Sequence, residues 1–437
     1  MAHRGSWSLS IFGVALLAFS IAFSAQAAVL WDDGAHEIGT NGYLRAGGGV
    51  SGGETQLCFK APNAGAKYRL GNECETYIRP GLYYQHRLRE GQGAPYVRAE
   101  VMPEFNQAYS DTMEYKAMAQ AYVEVGNLAG TPAKVWGGRR YYKRRDVHIN
   151  DYFYMNLKGD GVGVRDLPLG FGDLALTYLQ MRDTPLNDGI AWPDQVTTRN
   201  YEIGLYNVRA NPGGRLMFDL RRAEIQGASF TGSGGPITIH GARGWAVTGE
   251  HRQADFLGGK NTLALQYGLG AGRNAWTAPA ESGADLGKLT SADRAVDLEA
   301  ARTWRLVEQH LYDGSRWAMQ SAFIWEKREH ARFDGADRSW ISLGTRPMWY
   351  LDDHWRLVGE AGYDRVINHS AANSGHLWKF TAALEWAPLL GFLSRPAVRA
   401  YVTQASWSDS LRGQVGAPLF SVDTRGWNAG LQVETWW

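Results

Sequence analysis

From Gly426 to Trp437 the chain changes polarity at almost every step. Trp427, Ala429, Leu431, Val433 and Trp437 share one parity, broken only by Thr435, while Asn428, Gly430, Gln432, Glu434 and Trp436 share the other. Successive side chains of a strand point to opposite faces. One face of this segment therefore suits lipid and the other a wet lumen. Trp436 falls on the wet face, where a ring that merely filled a core would be out of place. The pattern recurs upstream. Tyr77, Arg79, Gly81, Tyr83 and Gln85 alternate with Thr76, Ile78, Pro80, Leu82 and Tyr84, and Arg395, Ala397, Arg399, Tyr401 and Thr403 with Pro396, Val398, Ala400 and Val402. Near the front, Tyr43 and Arg45 oppose Leu44 and Ala46, and 173–180, 201–208, 261–269 and 355–363 read the same way. Turn residues such as Asn211-Pro212-Gly213-Gly214 and Leu351-Asp352-Asp353-His354 separate these segments.

After residue 27 no apolar run reaches the roughly 18 residues that a membrane helix needs. Aromatic residues make up 12% of the chain, with 53 glycines, yet the mean hydropathy is −0.35. Many rings, many glycines and alternation without a continuous apolar segment predict an all-β fold, a transmembrane antiparallel β-barrel. No linker or domain seam interrupts residues 28–437, and at about 20 to 25 residues per strand and connection they hold some sixteen to eighteen strands, wide enough for a channel. With 45 Lys and Arg against 44 Asp and Glu, no global field favours nucleic acid.

Residues 1–27 begin with a short polar start, continue as an apolar run from Leu9 to Phe23 and end in Ser24-Ala25-Gln26-Ala27. This predicts a secretory signal cleaved after Ala27. In an exported chain the two cysteines, Cys58 and Cys74, are able to pair and clamp an early loop, contributing about 3 kcal/mol in the chain-entropy model. Two cysteines at this spacing form no metal or redox motif.

Residues 136–164 stand apart. Between Arg139 and Tyr154 lie five cations (Arg139, Arg140, Lys143, Arg144, Arg145), two carboxylates (Asp146, Asp151) and five aromatic rings, with glycines at both ends of the stretch. It is too charged for a strand facing lipid and has no apolar face for a core helix. It reads as an inward-folded loop, about 137–165, whose rings stack on sugar CH surfaces while Arg and Asp bond hydroxyls. A solvated basic loop or a nucleic-acid patch is the other reading of the same composition.

GYLRAG at 42–47, YRLGNECETY at 68–77, RRYYKRRDVHINDYFY at 139–154, SRPAVR at 394–399 and VETWW at 433–437 resemble the maltoporins, trimeric sugar-specific porins of Gram-negative outer membranes. The likeness runs from about Gly42 to Trp437. It implies 18 strands, an inward constriction loop, a spiral of aromatic rings and a flanking ionic track for sugar hydroxyls. It also implies a homotrimer set among outer-membrane lipid and lipopolysaccharide, with no cofactor. Tyr43, Tyr77 and Trp436 match ring positions. Phe153 stands where the family has a tyrosine, and Leu393, beside Phe392, where it has a tryptophan. Arg45, Arg69, Arg144, Asp146 and Asp151 match polar-track positions, and His148 the family's loop histidine. A track arginine falls on Ala119 and a track glutamate on Arg79. No ring matches the one expected near Gly258–Lys260, and the second loop offers only Tyr115 for contact with a neighbouring subunit.

Structural roles compete at several positions. Arg139 and Arg140 are as well suited to pinning the loop as to touching sugar; for Arg144 and Asp146 ligand contact is favoured. Tyr141, Tyr142 and Tyr154 read as packing rings under the loop, and Trp340, Trp349 and Trp378 as membrane girdle or loop packing. His148 beside Asp151 offers only two metal ligands, a weak set. No G-x-S-x-G turn appears and the eleven histidines are scattered, so the chain reads as a channel for maltose or maltodextrin-like sugars rather than an enzyme. A porin for another sugar, such as sucrose, or a general diffusion porin, is the alternative.

Overall fold

The computed structural model describes residues 27–108, 112–183, 196–232, 235–276, 295–296, 298–329, 337–368 and 374–437. All of the predicted signal except Ala27 lies outside the described residues. Eighteen strands form the wall: β1 His36–Ser51, β2 Glu75–Arg87, β3 Tyr96–Ala108, β4 Glu114–Gly126, β5 Lys134–Val147, β6 Tyr152–Pro168, β7 Asp173–Asp183, β8 Val196–Arg209 and β9 Gly214–Ile225, then β10 Ala242–Phe256, β11 Gly259–Gly270, β12 Arg302–Asp313, β13 Trp317–Glu329, β14 Arg338–Tyr350, β15 Trp355–Asn368, β16 Gly375–Trp386, β17 Ala397–Trp407 and β18 Arg425–Trp436. Each pairs antiparallel with the next. The barrel closes where β18 returns to β1, from Tyr43↔Trp436 to Val50↔Ala429. The strands run from 11 to 17 residues. Even the shortest, at about 3.4 Å per residue and tilted by about 40°, spans an apolar band of about 25 Å.

The alternation has an inverted polarity. Along β17 buried and exposed residues alternate strictly, with Arg399 and Thr403 inward and Val398 and Val402 outward. Glu326, Lys379 and Glu385 are fully buried while Leu431 is 63% exposed. Such an outer surface is stable only in lipid. Inside, charges are paired across strands, as in Arg305–Glu326 at 2.6 Å, Lys379–Glu360 at 2.8 Å and Arg356–Glu385 at 2.6 Å. Outside, rings pair across the ladder: Tyr267 opposite Trp304, with centroids 4.2 Å apart, and Tyr363 opposite Trp378, at 4.5 Å. Trp349 and Trp378 face outward, whereas Trp340 is buried in the lumen, donating to Asp364 at 3.0 Å and meeting the edge of Tyr152.

Among the described residues three segments fill part of the lumen: the short turn 271–276, whose Trp276 carbonyl accepts from the Asn156 amide, and two longer ones. The first of the longer two, 56–74, is closed by the Cys58–Cys74 disulfide. Asn72 organises it, donating to the carbonyls of Phe59 and Tyr68 and accepting from the Phe59 amide at 2.7 Å. The ring of Tyr68 lies in a slot at Gly344 and Gly362; a Cβ on Gly362 would stand 2.0 Å from it. Gly362→Val is therefore expected to lower barrel stability by about 1–3 kcal/mol, read as a lower denaturation midpoint in detergent.

The second segment is the inward-folded stretch, and it is built largely of strand. Residues 137–165 belong to a hairpin of two long strands, β5 and β6. Val135–Arg139 pairs with β4 and 160–168 with β7, but 140–147 and 152–159 pair only with each other. That half of the ribbon leaves the wall and enters the lumen. Gly138 permits the departure: its φ is +124°, and a Cβ there would sit 2.4 Å from the Ala121 carbonyl. The high charge that argued against a strand is a constraint on lipid-facing strands. Off the wall, both faces of the ribbon meet polar lumen or protein. Its tip, His148–Asn150, is a 3-10 turn followed by Asp151 at φ +55°. Val147, Ile149, Tyr152, Tyr154 and Met155 pack with Phe59, Tyr68 and Trp340 in one buried cluster. The Ile149 carbonyl accepts from the Arg69 amide and from Arg346, both at 3.1 Å.

Candidate functional site

Between the ribbon and the wall of β1 to β4 lies a cavity of about 920 Å³. All eleven residues singled out above line it: Tyr43 and Arg45 on β1, Arg69 on the first inward segment, Tyr77 on β2, Arg144, Asp146, His148, Asp151 and Phe153 on the ribbon, Leu393 before β17, and Trp436 on β18. They come together because β18 pairs with β1 and the ribbon folds back toward that seam.

The rings are braced from behind. Tyr43 and Tyr77 meet edge to face at 6.0 Å. The Tyr43 hydroxyl accepts from Arg69 at 2.6 Å and donates to Glu434 at 3.1 Å. Trp436 lies 4.1 Å from the Arg395 guanidinium and 5.7 Å from the His148 ring, which it meets edge to face. His148 sits at the ribbon tip, outside the membrane-crossing strands. Burial holds its imidazole well below the ordinary value, and its Nε2 accepts from Arg395 at 2.9 Å, so the ring is neutral. Leu393 presents an alkyl chain, and Phe392 does not replace the missing ring: it is turned inward, buried against the His148 edge.

The polar residues divide into two kinds. Arg45 pairs with Glu73 at 2.7 Å, with Glu75, and with Asp151 at 3.3 Å. Arg69 pairs with Glu73 at 3.0 Å and Glu434 at 2.8 Å. These guanidiniums are largely committed to protein. Arg144 and Asp146 are not. The Arg144 guanidinium lies between the rings of Tyr141 and Phe153, 4.7 and 4.2 Å from their centroids, and its buried Nε has no acceptor. Among the described residues no direct ion pair is made to the Asp146 carboxylate, which accepts from its own backbone amide and is attracted by Arg144 and Arg69, while its backbone oxygen accepts from Gln309 at 3.0 Å. Arg139 forms two bonds of 2.8 Å to Asp160, and Arg140 one of 3.0 Å to Glu124. Arg139 thus joins the two strands of the ribbon, and Arg140 ties it to β4.

Tyr142 and Tyr154 are buried packing rings, as expected, but Tyr141 faces the cavity and donates to Glu104 at 3.0 Å. Arg79, Glu104, Gln120 and Lys158 also line it. Parity placed Arg79 on the lumen side beside Tyr77, so a signal for it existed. Tyr141 had none, because it shares the parity of lipid-facing Val135 and reaches the cavity only where the ribbon has left the wall; beyond it, register shifts between Tyr141 and Lys143 and between Arg145 and Asp146 defeat a count of two.

Residues 38–437 match the family model described as LamB porin. Among solved structures, the chain is similar to the outer membrane channel DcaP of Acinetobacter baumannii, at 11% identity over 93% of this chain and 99% of that one, with a TM-score of 0.47. It is also similar to OccD3 (OpdP) of Pseudomonas aeruginosa, at 11% identity over 96% and 95%, with a TM-score of 0.46. With the family model spanning all eighteen strands of the closed barrel, this chain belongs to the LamB porin family, also known as the maltoporin family, and is a porin of the outer membrane.

Proposed function

We propose that this porin is carbohydrate-selective and passes maltose and maltodextrin-like sugars down their gradient, without catalysing a reaction. One observation carries the reading: Tyr43, Tyr77, Phe153 and Trp436 share a cavity with Arg144, whose Nε has no acceptor, and with Asp146, whose carboxylate makes no direct ion pair among the described residues. Rings of this kind stack on the apolar faces of pyranoses, and a guanidinium and a carboxylate serve hydroxyls as donor and acceptor. Each contact is weak, as passage requires, since a sugar held tightly at one site would not leave it. The reading includes assembly as a homotrimer, which a molecular-mass measurement in detergent decides.

Liposome swelling tests the selectivity. Maltotriose is expected to enter several-fold faster than its isomer raffinose. Equal rates would mean sorting by size alone, as in a general diffusion porin. A second reading, selectivity for another sugar such as sucrose, draws on Leu393, which breaks the line of rings, and on Phe153, which brings a ring without a hydroxyl. Sucrose outpacing maltose would favour it.

A further inference from the structure

Three cations in the cavity remain outside the ion-pair lattice. Arg79, on β2, is 8% exposed. It is caged by the rings of Tyr77, Tyr141 and Tyr43, at 5.3, 5.1 and 5.8 Å from their centroids, and its buried Nε has no acceptor. Arg144 shares the Tyr141 ring, at 4.7 Å. Lys158 stands opposite Tyr141 in the ribbon ladder and faces the cavity. Among the described residues no carboxylate forms an ion pair with any of the three. The acidic residues of the cavity are differently engaged. Asp151 belongs to Arg45 and Arg69, at 3.3 and 3.9 Å. Glu104 accepts the Tyr141 hydroxyl. Asp146 forms no direct ion pair among the described residues and lies within the field of Arg144.

Two guanidiniums sharing one aromatic ring repel each other in a medium that screens poorly, and the carboxylates near them, Glu104 by Arg79 and Asp146 and Asp151 by Arg144, offset this without forming a direct ion pair with either. A ligand that brings an anionic group relieves that repulsion, and the planar donor fork of arginine fits carboxylate and phosphate oxygens. We infer that Arg79 and Arg144, held on the ring of Tyr141 with Lys158 beside them, form an anion subsite within the sugar path, so that the channel takes saccharides bearing a phosphate ester or a carboxylate in preference to their neutral counterparts. The inference rests on the sugar-porin reading and names a substrate class for the same cavity.

The test compares maltose with maltose 1-phosphate, which keeps both rings, in single-channel recordings of the purified porin in 0.1 M KCl, with inorganic phosphate as the anion lacking a sugar. Maltose 1-phosphate is expected to half-block at roughly one-tenth the maltose concentration, an advantage that shrinks in 1 M KCl. Arg79→Gln and, separately, Arg144→Gln should each bring the two constants to within about two-fold. Maltose 1-phosphate blocking no better than maltose in the wild type overturns the inference and leaves the sugar reading intact. Inorganic phosphate matching maltose 1-phosphate overturns it in favour of a plain anion site. Block by neither sugar overturns both readings.

Discussion

The double variant Trp436→Ala, Phe153→Ala is expected to raise the maltotriose concentration for half-block about thirty-fold, with ion conductance equal or higher. A ring stacked on a sugar contributes on the order of 1 kcal/mol, so each single variant should cost about five-fold and the pair about 2 kcal/mol. The two rings enter the cavity from opposite supports, Trp436 from the wall strand β18 and Phe153 from the ribbon strand β6. Their effects should therefore be close to additive. Conductance separates loss of binding from loss of the channel, since removing rings from the lumen leaves a wider path for ions. Trp349→Ala, on the lipid side, is the control and should leave block unaltered. Unchanged block in the double variant would falsify the assignment of the rings.

Glu434→Ala is expected to destabilise the barrel by about 3–5 kcal/mol, the cost of leaving buried charge uncompensated. This carboxylate is almost fully buried. It accepts from Arg69 and Arg395 at 2.8 Å, from Arg399 at 3.1 Å and from the Tyr43 hydroxyl at 3.1 Å. Its removal leaves three guanidiniums crowded at the seam between β18 and β1, behind both Tyr43 and Trp436. The denaturation midpoint in detergent should fall sharply, and sugar block should weaken in the fraction that remains folded. Glu114→Ala, which removes the exposed partner of Lys116, should not move the midpoint. Equal midpoints for the two variants would show that the seam does not depend on this carboxylate.

Period-two alternation is local, so the wall was legible wherever it ran unbroken. Arg399 and Thr403 inward, Val398 and Val402 outward, and Trp436 lining the cavity all follow from parity. Closure was not legible from any one segment, because one partner of the last strand, β1, lies at the opposite end of the chain. The ribbon hid for a different reason. A rule that strands avoid charge holds where lipid is the neighbour, and from Arg140 to Gly159 lipid is not. Tyr141, on the parity that faces lipid in the wall, meets the cavity because the ribbon departs just before it, and two register shifts beyond it defeat a simple count for the residues that follow. For the polar track, residue type showed which side chains are charged but not which charges are spent. Glu73, one partner of Arg69, lies only four residues away in sequence. Glu434, which also holds Arg69, Arg395 and Arg399, becomes their partner only when the barrel closes. Arg144 and Asp146 stand out once that pairing is drawn, since it passes them by.

The most direct measurement is single-channel conductance of the wild-type protein in a planar bilayer, with maltose, maltotriose and sucrose titrated in turn. A cavity lined by Tyr43, Tyr77, Phe153 and Trp436 beside Arg144 and Asp146, which form no direct ion pair among the described residues, predicts block that saturates and tightens from maltose to maltotriose, as a longer glucan covers more rings. Current that falls only in proportion to solution viscosity, with no saturable block by any of the three sugars, would contradict a sugar-selective channel and leave a general pore with an inward ribbon.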